Sequence, residues 1–157
     1  LRQTGKPWAE VGVTTGRPRR CGWFDTVIGR YAVRVNGLDC LAITKLDVMD
    51  EFDEIKICVA YKDKKDGTIH KELPSIGSQF KRMEPVYKVF PGWKKPTYKI
   101  TSFEELPAEA KRYLDFIAEE LDCPVAIVSV GPTRDKTVVI EDPIHGPKRV
   151  LSKAVVQ

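Results

Sequence analysis

The run VAIVSV, residues 125–130, is apolar at every position but Ser129. A strand with one wet face alternates apolar and polar side chains, so an unbroken run of this kind asks for cover on both faces. LAITKLD (41–47) repeats the signal for three residues and then turns abruptly polar, leaving the core at Lys45. TVVIED (137–142) supplies a third such segment. Short, wholly apolar strands of this type need helices packed over them, which restricts the chain to an α/β sheet.

The helices are visible as periodicity. Val27, Ile28, Tyr31, Ala32, Val35 and Leu38 recur at helical spacing, with Arg30 and Arg34 placed opposite, Asp25 favouring the start and Gly37 a natural C-cap. Pro107 opens a second helix, with Ala110, Tyr113, Leu114, Ile117 and Leu121 on one stripe, and Pro124 stops it. Its acidic face reads as solvated. EIKICVAYK alternates Ile55, Ile57, Val59 and Tyr61, and the Asp66-Gly67 turn before TIHKEL predicts a β-hairpin. PVYKVF (85–90) is a further strand, closed by Pro91-Gly92. Trp23, Trp93, Tyr87 and Phe90 read as core or loop anchors. The fold class is therefore α/β, a mixed sheet with flanking helices and an attached antiparallel β-hairpin subdomain. Residues 1–20 read as loop, and the basic tail from Pro143 (143–157) as partly disordered.

With 157 residues, 42% hydrophobic and 31% charged, the chain has the profile of one soluble globular domain with a sizeable core. No apolar run approaches the ~18 residues needed to span a bilayer, and LRQTGKPWAE lacks the layout of a secretory signal. A net charge of +4 suits anionic ligands and by itself argues nothing for nucleic acid. Cys21, Cys40, Cys58 and Cys123 are widely spaced, and His70 and His145 stand alone. Zinc sites take ligands in close pairs, so reduced thiols in a cytosolic protein are the better reading. Neither a GxxxxGK[ST] loop nor GxGxxG occurs, and no nucleophilic triad can be assembled.

In α/β sheets, ligands sit where strands end and loops begin. Three stretches there carry chemistry. In VGVTTGRPRRCGWFD (11–25), Gly16 permits close backbone approach, the hydroxyls of Thr14 and Thr15 can donate to an anion, and Arg17 and Arg19 offer planar forks matched to carboxylate or phosphate. Pro18 between them sends the two guanidinium groups in different directions. A solvated basic turn, or an anchor on nucleic acid, fits the same composition. In TKLD (44–47), the Asp47 carboxylate can accept two parallel hydrogen bonds from guanine N1–H and its 2-amino group, a donor pair that adenine lacks. The stem of Lys45 can lie along the purine face. An ordinary surface Lys and Asp remains open. In SVGPTRD (129–135), Ser129 and the amides to Gly131 can bracket the other edge of a base, or simply close a tight turn.

Taken in order, VTTGRPRRCGW, TKLD and SVGP resemble the adenylosuccinate synthetase family. The likeness extends to CVAYK, the PGW at 91–93 and the ELP-led helix, and runs to about Asp142. The resemblance implies that residues 1–142 are the C-terminal portion of that larger fold. It implies a reaction in which GTP phosphorylates the 6-oxygen of IMP and the amino group of L-aspartate displaces that phosphate. The products are adenylosuccinate, GDP and phosphate, on the way to AMP, with Mg2+ assisting.

Carried over residue by residue, it makes Val13, Thr14, Thr15, Gly16, Arg17, Pro18 and Arg19 the loop that closes over aspartate. Arg17 reaches IMP as well, and Arg19 reaches towards the GTP side. Lys45, Leu46 and Asp47, with Ser129, Val130 and Gly131, match the guanine-binding segments 44–47 and 129–132. The family's phosphate loop, general-base aspartate, phosphate-side histidine and metal ligands belong to an N-terminal part that nothing here matches. The expectation is thus a cytoplasmic enzyme, a homodimer when full-length, of which these residues hold the guanine pocket and aspartate loop without the catalytic base. They would be inactive alone, with apolar surface exposed where a neighbouring region is absent. The other readings are a stand-alone guanine-nucleotide-binding module and a nucleic-acid-binding domain using Arg17, Arg19, Arg20, Arg30 and Arg34.

Overall fold

The computed structural model describes residues 10–12, 14–75 and 77–146; Val13 and the tail segment 147–157 lie outside them. The elements run β1 (Phe24–Asp25), α1 (Thr26–Asn36), β2 (Leu41–Ile43), β3 (Glu54–Asp63), β4 (Ile69–His70), β5 (Met83–Pro91), α2 (Ala108–Leu121), β6 (Val125–Ser129) and β7 (Thr137–Val139). They form two mixed sheets. In one, β3 pairs with β1 in parallel and with β4 and β5 antiparallel. In the other, β6 lies between a parallel β2 and an antiparallel β7.

α2 forms as its stripe predicts. Ala110, Tyr113, Leu114, Ile117 and Leu121 are all buried, in one cluster with Leu46, Ile55, Ile57, Trp93, Val128 and Val130. Burying a Leu or Ile side chain contributes about 1.5–3 kcal/mol, so this stripe fixes α2 on the sheets. Asp122 ends the helix in the left-handed region (φ 48°), its N–H bonded to the carbonyls of Ala118 and Glu119.

α1 is turned differently from its periodicity. Asp25 caps it, accepting from the N–H groups of Val27 and Ile28 at 2.9 and 3.1 Å, and Gly37 closes it at φ 60°. Its inward face, however, carries Thr26, Val27 and Val33, while Ile28, Tyr31 and Val35 stand 49%, 46% and 61% exposed. Two residues select this face. A Cβ on Gly29 would meet Leu121 Cδ2 at 3.0 Å, so glycine lets α2 approach. Arg30, expected on the outer face, donates to Glu120 Oε2 at 2.6 Å and to the Lys71 carbonyl at 3.0 Å.

Three strands also depart from expectation. β2 is an edge with Ala42 exposed, and β7 buries only Val138; both flank β6, the strand of this sheet with a described neighbour on each side. The turn at Asp66-Gly67 forms, but β4 makes only two rungs before the chain leaves through Pro74, which has no N–H for a ladder. The long antiparallel partner of β3 is β5, with Tyr87 exposed on it rather than anchored. Of the tail expected to be partly disordered, residues 143–146 form a turn folded on Asp142, whose backbone carbonyl accepts from Gly146 N at 2.7 Å.

Candidate functional site

The segments after β2 and β6 emerge at one end of the β2–β6–β7 sheet, and the arginine loop, which leads into β1 of the other sheet, meets that end through Glu10. After β2, Lys45 takes a left-handed backbone (φ 62°) and starts a 3-10 turn, Leu46–Met49. For a side-chain-bearing residue that conformation costs about 1–2 kcal/mol, and such outliers persist where surroundings over-determine them. The surroundings are visible: Lys45 N donates to Ser129 Oγ at 3.4 Å, Leu46 is wholly buried, and Lys45 Nζ is paired with Glu10. Asp47 thus stands on a turn beyond the strand tip, held from below by Leu46.

Asp47 is the anomaly of this turn. Its Oδ1 is shut away from solvent and has no hydrogen-bond partner among the described residues. Burial pushes its carboxyl above the ordinary range; its own backbone N–H pulls the other way, Asp50 adds to the rise, and Lys45 opposes it. Asp50, by contrast, is fully engaged. It accepts from Trp93 Nε1 at 2.7 Å, Thr97 N at 2.7 Å and Thr97 Oγ1 at 2.8 Å, tying the turn to the segment after β5.

After β6, the Ser129 hydroxyl donates to the Gly131 carbonyl at 3.4 Å. Val130 is wholly buried and its N–H is spent on the Lys136 carbonyl at 2.9 Å, so of the amides in this turn that one faces inward. A Cβ on Gly131 would stand 2.9 Å from Lys136 Cγ.

The arginine loop has a short antiparallel stem. Gly12 N donates to Arg17 O and Arg19 N to Glu10 O, both at 2.9 Å, with Val11 bridged to Pro18. Gly16, at φ 62°, makes the bend, and Thr15 Oγ1 accepts from Arg17 N at 3.4 Å. Thr14, Thr15, Arg17 and Arg19 are exposed, and among the described residues Arg17 has no ion-pair partner. Val13 lies outside the described residues. Glu10 joins the loop to the turn, with Oε2 at 3.4 Å from Arg19 Nη1 and Oε1 on Lys45 Nζ.

The three stretches are therefore brought together, Lys45 touching both Ser129 and, through Glu10, the loop. Sequence reading missed Glu10 and Asp50. Asp50 had a faint signal, an acid three residues beyond Asp47; Glu10, a lone carboxylate before the loop, had none. Arg30 and Arg34, offered for nucleic acid, contact Glu120 and Glu72 at 2.6 and 3.6 Å. Among the described residues no group of three or more His, Cys, Asp or Glu could hold a metal ion, and no helix is long and apolar enough to cross a membrane.

Comparison with known proteins supplies the context. Residues 1–138 match the family described as adenylosuccinate synthetase. The adenylosuccinate synthetase of a Picosynechococcus species is 60% identical over 147 residues, covering 94% of this chain and 33% of the relative. That of Gloeobacter violaceus is 59% identical, covering 96% and 34%. The fully ligated adenylosuccinate synthetase of Plasmodium falciparum superposes with a TM-score of 0.79 at 39% identity, over 83% of this chain and 31% of that one. The chain spans about a third of the length of the relatives it matches. With most of its residues matched, and its α/β architecture shared with a solved member, this chain belongs to the adenylosuccinate synthetase family.

Proposed function

We propose that this chain forms the guanine-binding and aspartate-loop part of an enzyme that ligates L-aspartate to IMP. In that reaction the γ-phosphoryl group of GTP passes to the 6-oxygen of IMP, leaving GDP. The aspartate amine then attacks carbon 6, the C–O bond to phosphate breaks, and adenylosuccinate and phosphate leave. The observation that carries the reading is the buried, unpartnered Oδ1 of Asp47 beside the Ser129–Gly131 turn. A buried polar atom without a partner is costly, and guanine offers the two parallel donors that a carboxylate accepts.

Within this reading, Asp47 selects guanine and the Lys45 stem lies along its face. Ser129 and Gly131 meet its other edge, while Leu46 and Val130, wholly buried, set the two turns. Arg17, exposed on the loop, takes IMP and aspartate; Arg19 takes the nucleotide side; Thr14, Thr15 and Gly16 close over aspartate, with Val13 and Pro18 shaping the loop. These groups act by positioning and by neutralising charge where three anionic substrates meet. Good positioning is worth up to about 7–11 kcal/mol of barrier. When bound, Mg2+ would neutralise phosphate charge. The described residues offer it no ligand cluster, and no step here runs through it. The cytoplasm, and a homodimer of the full-length enzyme, fit the same reading.

Calorimetric titration with GDP and ADP tests it. GDP should bind in preference to ADP, Asp47→Ala should remove the preference, and the chain alone should not consume IMP and aspartate. Adding the remaining family polypeptide should restore GTP-dependent synthesis. Equal affinity for GDP and ADP, or salt-sensitive oligonucleotide binding alone, would sink the reading.

A further inference from the structure

The sequence assigns Glu10 nothing, yet among the described residues it is the one acidic side chain shared by the loop and the turn. Its backbone carbonyl accepts from Arg19 N at 2.9 Å, closing the loop stem. Its carboxylate then reaches outward in two directions, Oε1 to Lys45 Nζ and Oε2 to Arg19 Nη1 at 3.4 Å. Lys45 is the residue whose backbone conformation sets the turn bearing Asp47. Without the carboxylate, Lys45 and Arg19 would lose the counter-charge they share, and the stem would lose its only side-chain tie to that turn among the described residues.

We propose that Glu10 is a positioning residue, a two-armed latch that fixes the arginine loop to the 44–47 turn, so that a nucleotide seated on the turn sets the place of the loop. The idea rests on the guanine-binding reading for its ligand, but the latch itself exists without one. It makes the two halves of the site reciprocal: whatever holds Lys45 steadies Arg19, and whatever displaces the loop loosens Lys45. The charged groups facing the carboxylate are Lys45 and Arg19, both cations, which hold its pKa below the usual glutamate range. The latch therefore opens only in more acid solution than a free glutamate would need.

Amide hydrogen exchange at Gly12, Gly16 and Arg19 reads the latch directly in the full chain. Glu10→Gln should speed exchange at these amides about three- to fivefold, the scale of one exposed ion pair. Glu10→Asp, which keeps the charge, should recover at least half of that protection. In the native chain, protection should fall away on acidification below the usual glutamate range, while Glu10→Gln gives a flat profile. Added GDP should deepen loop protection in the native chain and not in Glu10→Gln. Identical exchange in the native chain and Glu10→Gln, or equal loss in Glu10→Asp and Glu10→Gln, overturns the latch. If GDP fails to bind while the acid-dependent protection persists, the guanine reading falls and the latch stands. If GDP binds and deepens protection equally in both chains, the latch falls and the guanine reading stands.

Discussion

The two ends of the β6 strand are built on opposite terms. Towards its start, Val125 and Ala126 lie beneath α2, where Ile117 and Leu121 are shut from solvent and the C-cap closes with two backbone hydrogen bonds. Towards its finish, Ser129 meets a lysine in a left-handed conformation, two side-chain contacts stretch to 3.4 Å, and a buried carboxylate oxygen has no partner among the described residues. The five residues of β6 run from a saturated core to an unsaturated rim. Stability is thus invested at one end of the strand and withheld at the other, the end where the proposed guanine site lies.

If that division is real, damage at one end should leave the other's property intact. Ile117→Ala is the strongest blow to the core end. It empties a wholly buried site in the main core cluster, and should cost about 2–5 kcal/mol in denaturant unfolding. Folded molecules of this variant should still prefer GDP to ADP. Loss of preference in step with stability would mean that the rim has no independence. Asp47→Ala strikes the other end. Deleting an acceptor of two charge-assisted hydrogen bonds should weaken GDP binding about a hundredfold without lowering the unfolding midpoint. A drop in that midpoint would show the carboxylate to be structural.

The seam between the two regimes is Asp50, which sits on the same turn as Asp47 but bonds Trp93 and Thr97. Asp50→Ala leaves the buried Trp93 and Thr97 donors unpaired, a penalty of about 1–3 kcal/mol. Because the turn is released, GDP affinity should fall as well, by a smaller factor than in Asp47→Ala. A variant that loses stability but keeps full affinity would place the seam elsewhere.

The same contrast explains what could be read from sequence. α2 was legible in full, since every predicted member of its apolar stripe is buried. α1 has an equally clear period, yet its buried face is set by the absent Cβ of Gly29 and by Arg30 reaching Glu120, neither of which periodicity records. The segment TKLD announced a strand end. It could not announce that Lys45 would turn left-handed, because that depends on contacts from Ser129 and Glu10, 84 and 35 residues away. The residue types proposed for the rim could be singled out in the sequence because anion and base recognition use few chemistries. The ties that position them could not, being long-range pairs of common surface residues.

The mildest test is also the most discriminating. Asp47→Asn keeps the shape of the side chain and removes the charge that burial penalises. Because the folded carboxyl titrates above its unfolded value, the folded chain holds more protons between those two values. Stability of the native chain therefore falls as pH rises through that window, and the deficit persists above it. Asp47→Asn has no such step. Its advantage in thermal unfolding should be absent in acid below the unfolded aspartate value, appear as pH rises through the window, and level off at neutral pH. Since Asp47 is only half-buried, the plateau should be about 1 kcal/mol or less. Glu10 and Asp63, whose carboxyls are held low by their partners, titrate in both chains and cancel in the difference. A neutral-pH gain in stability paired with a loss of guanine preference would mean that one carboxylate carries both the strain of the free rim and its selectivity. A stability loss at every pH would instead make Asp47 part of the scaffold, and the two ends of β6 would cease to differ in kind.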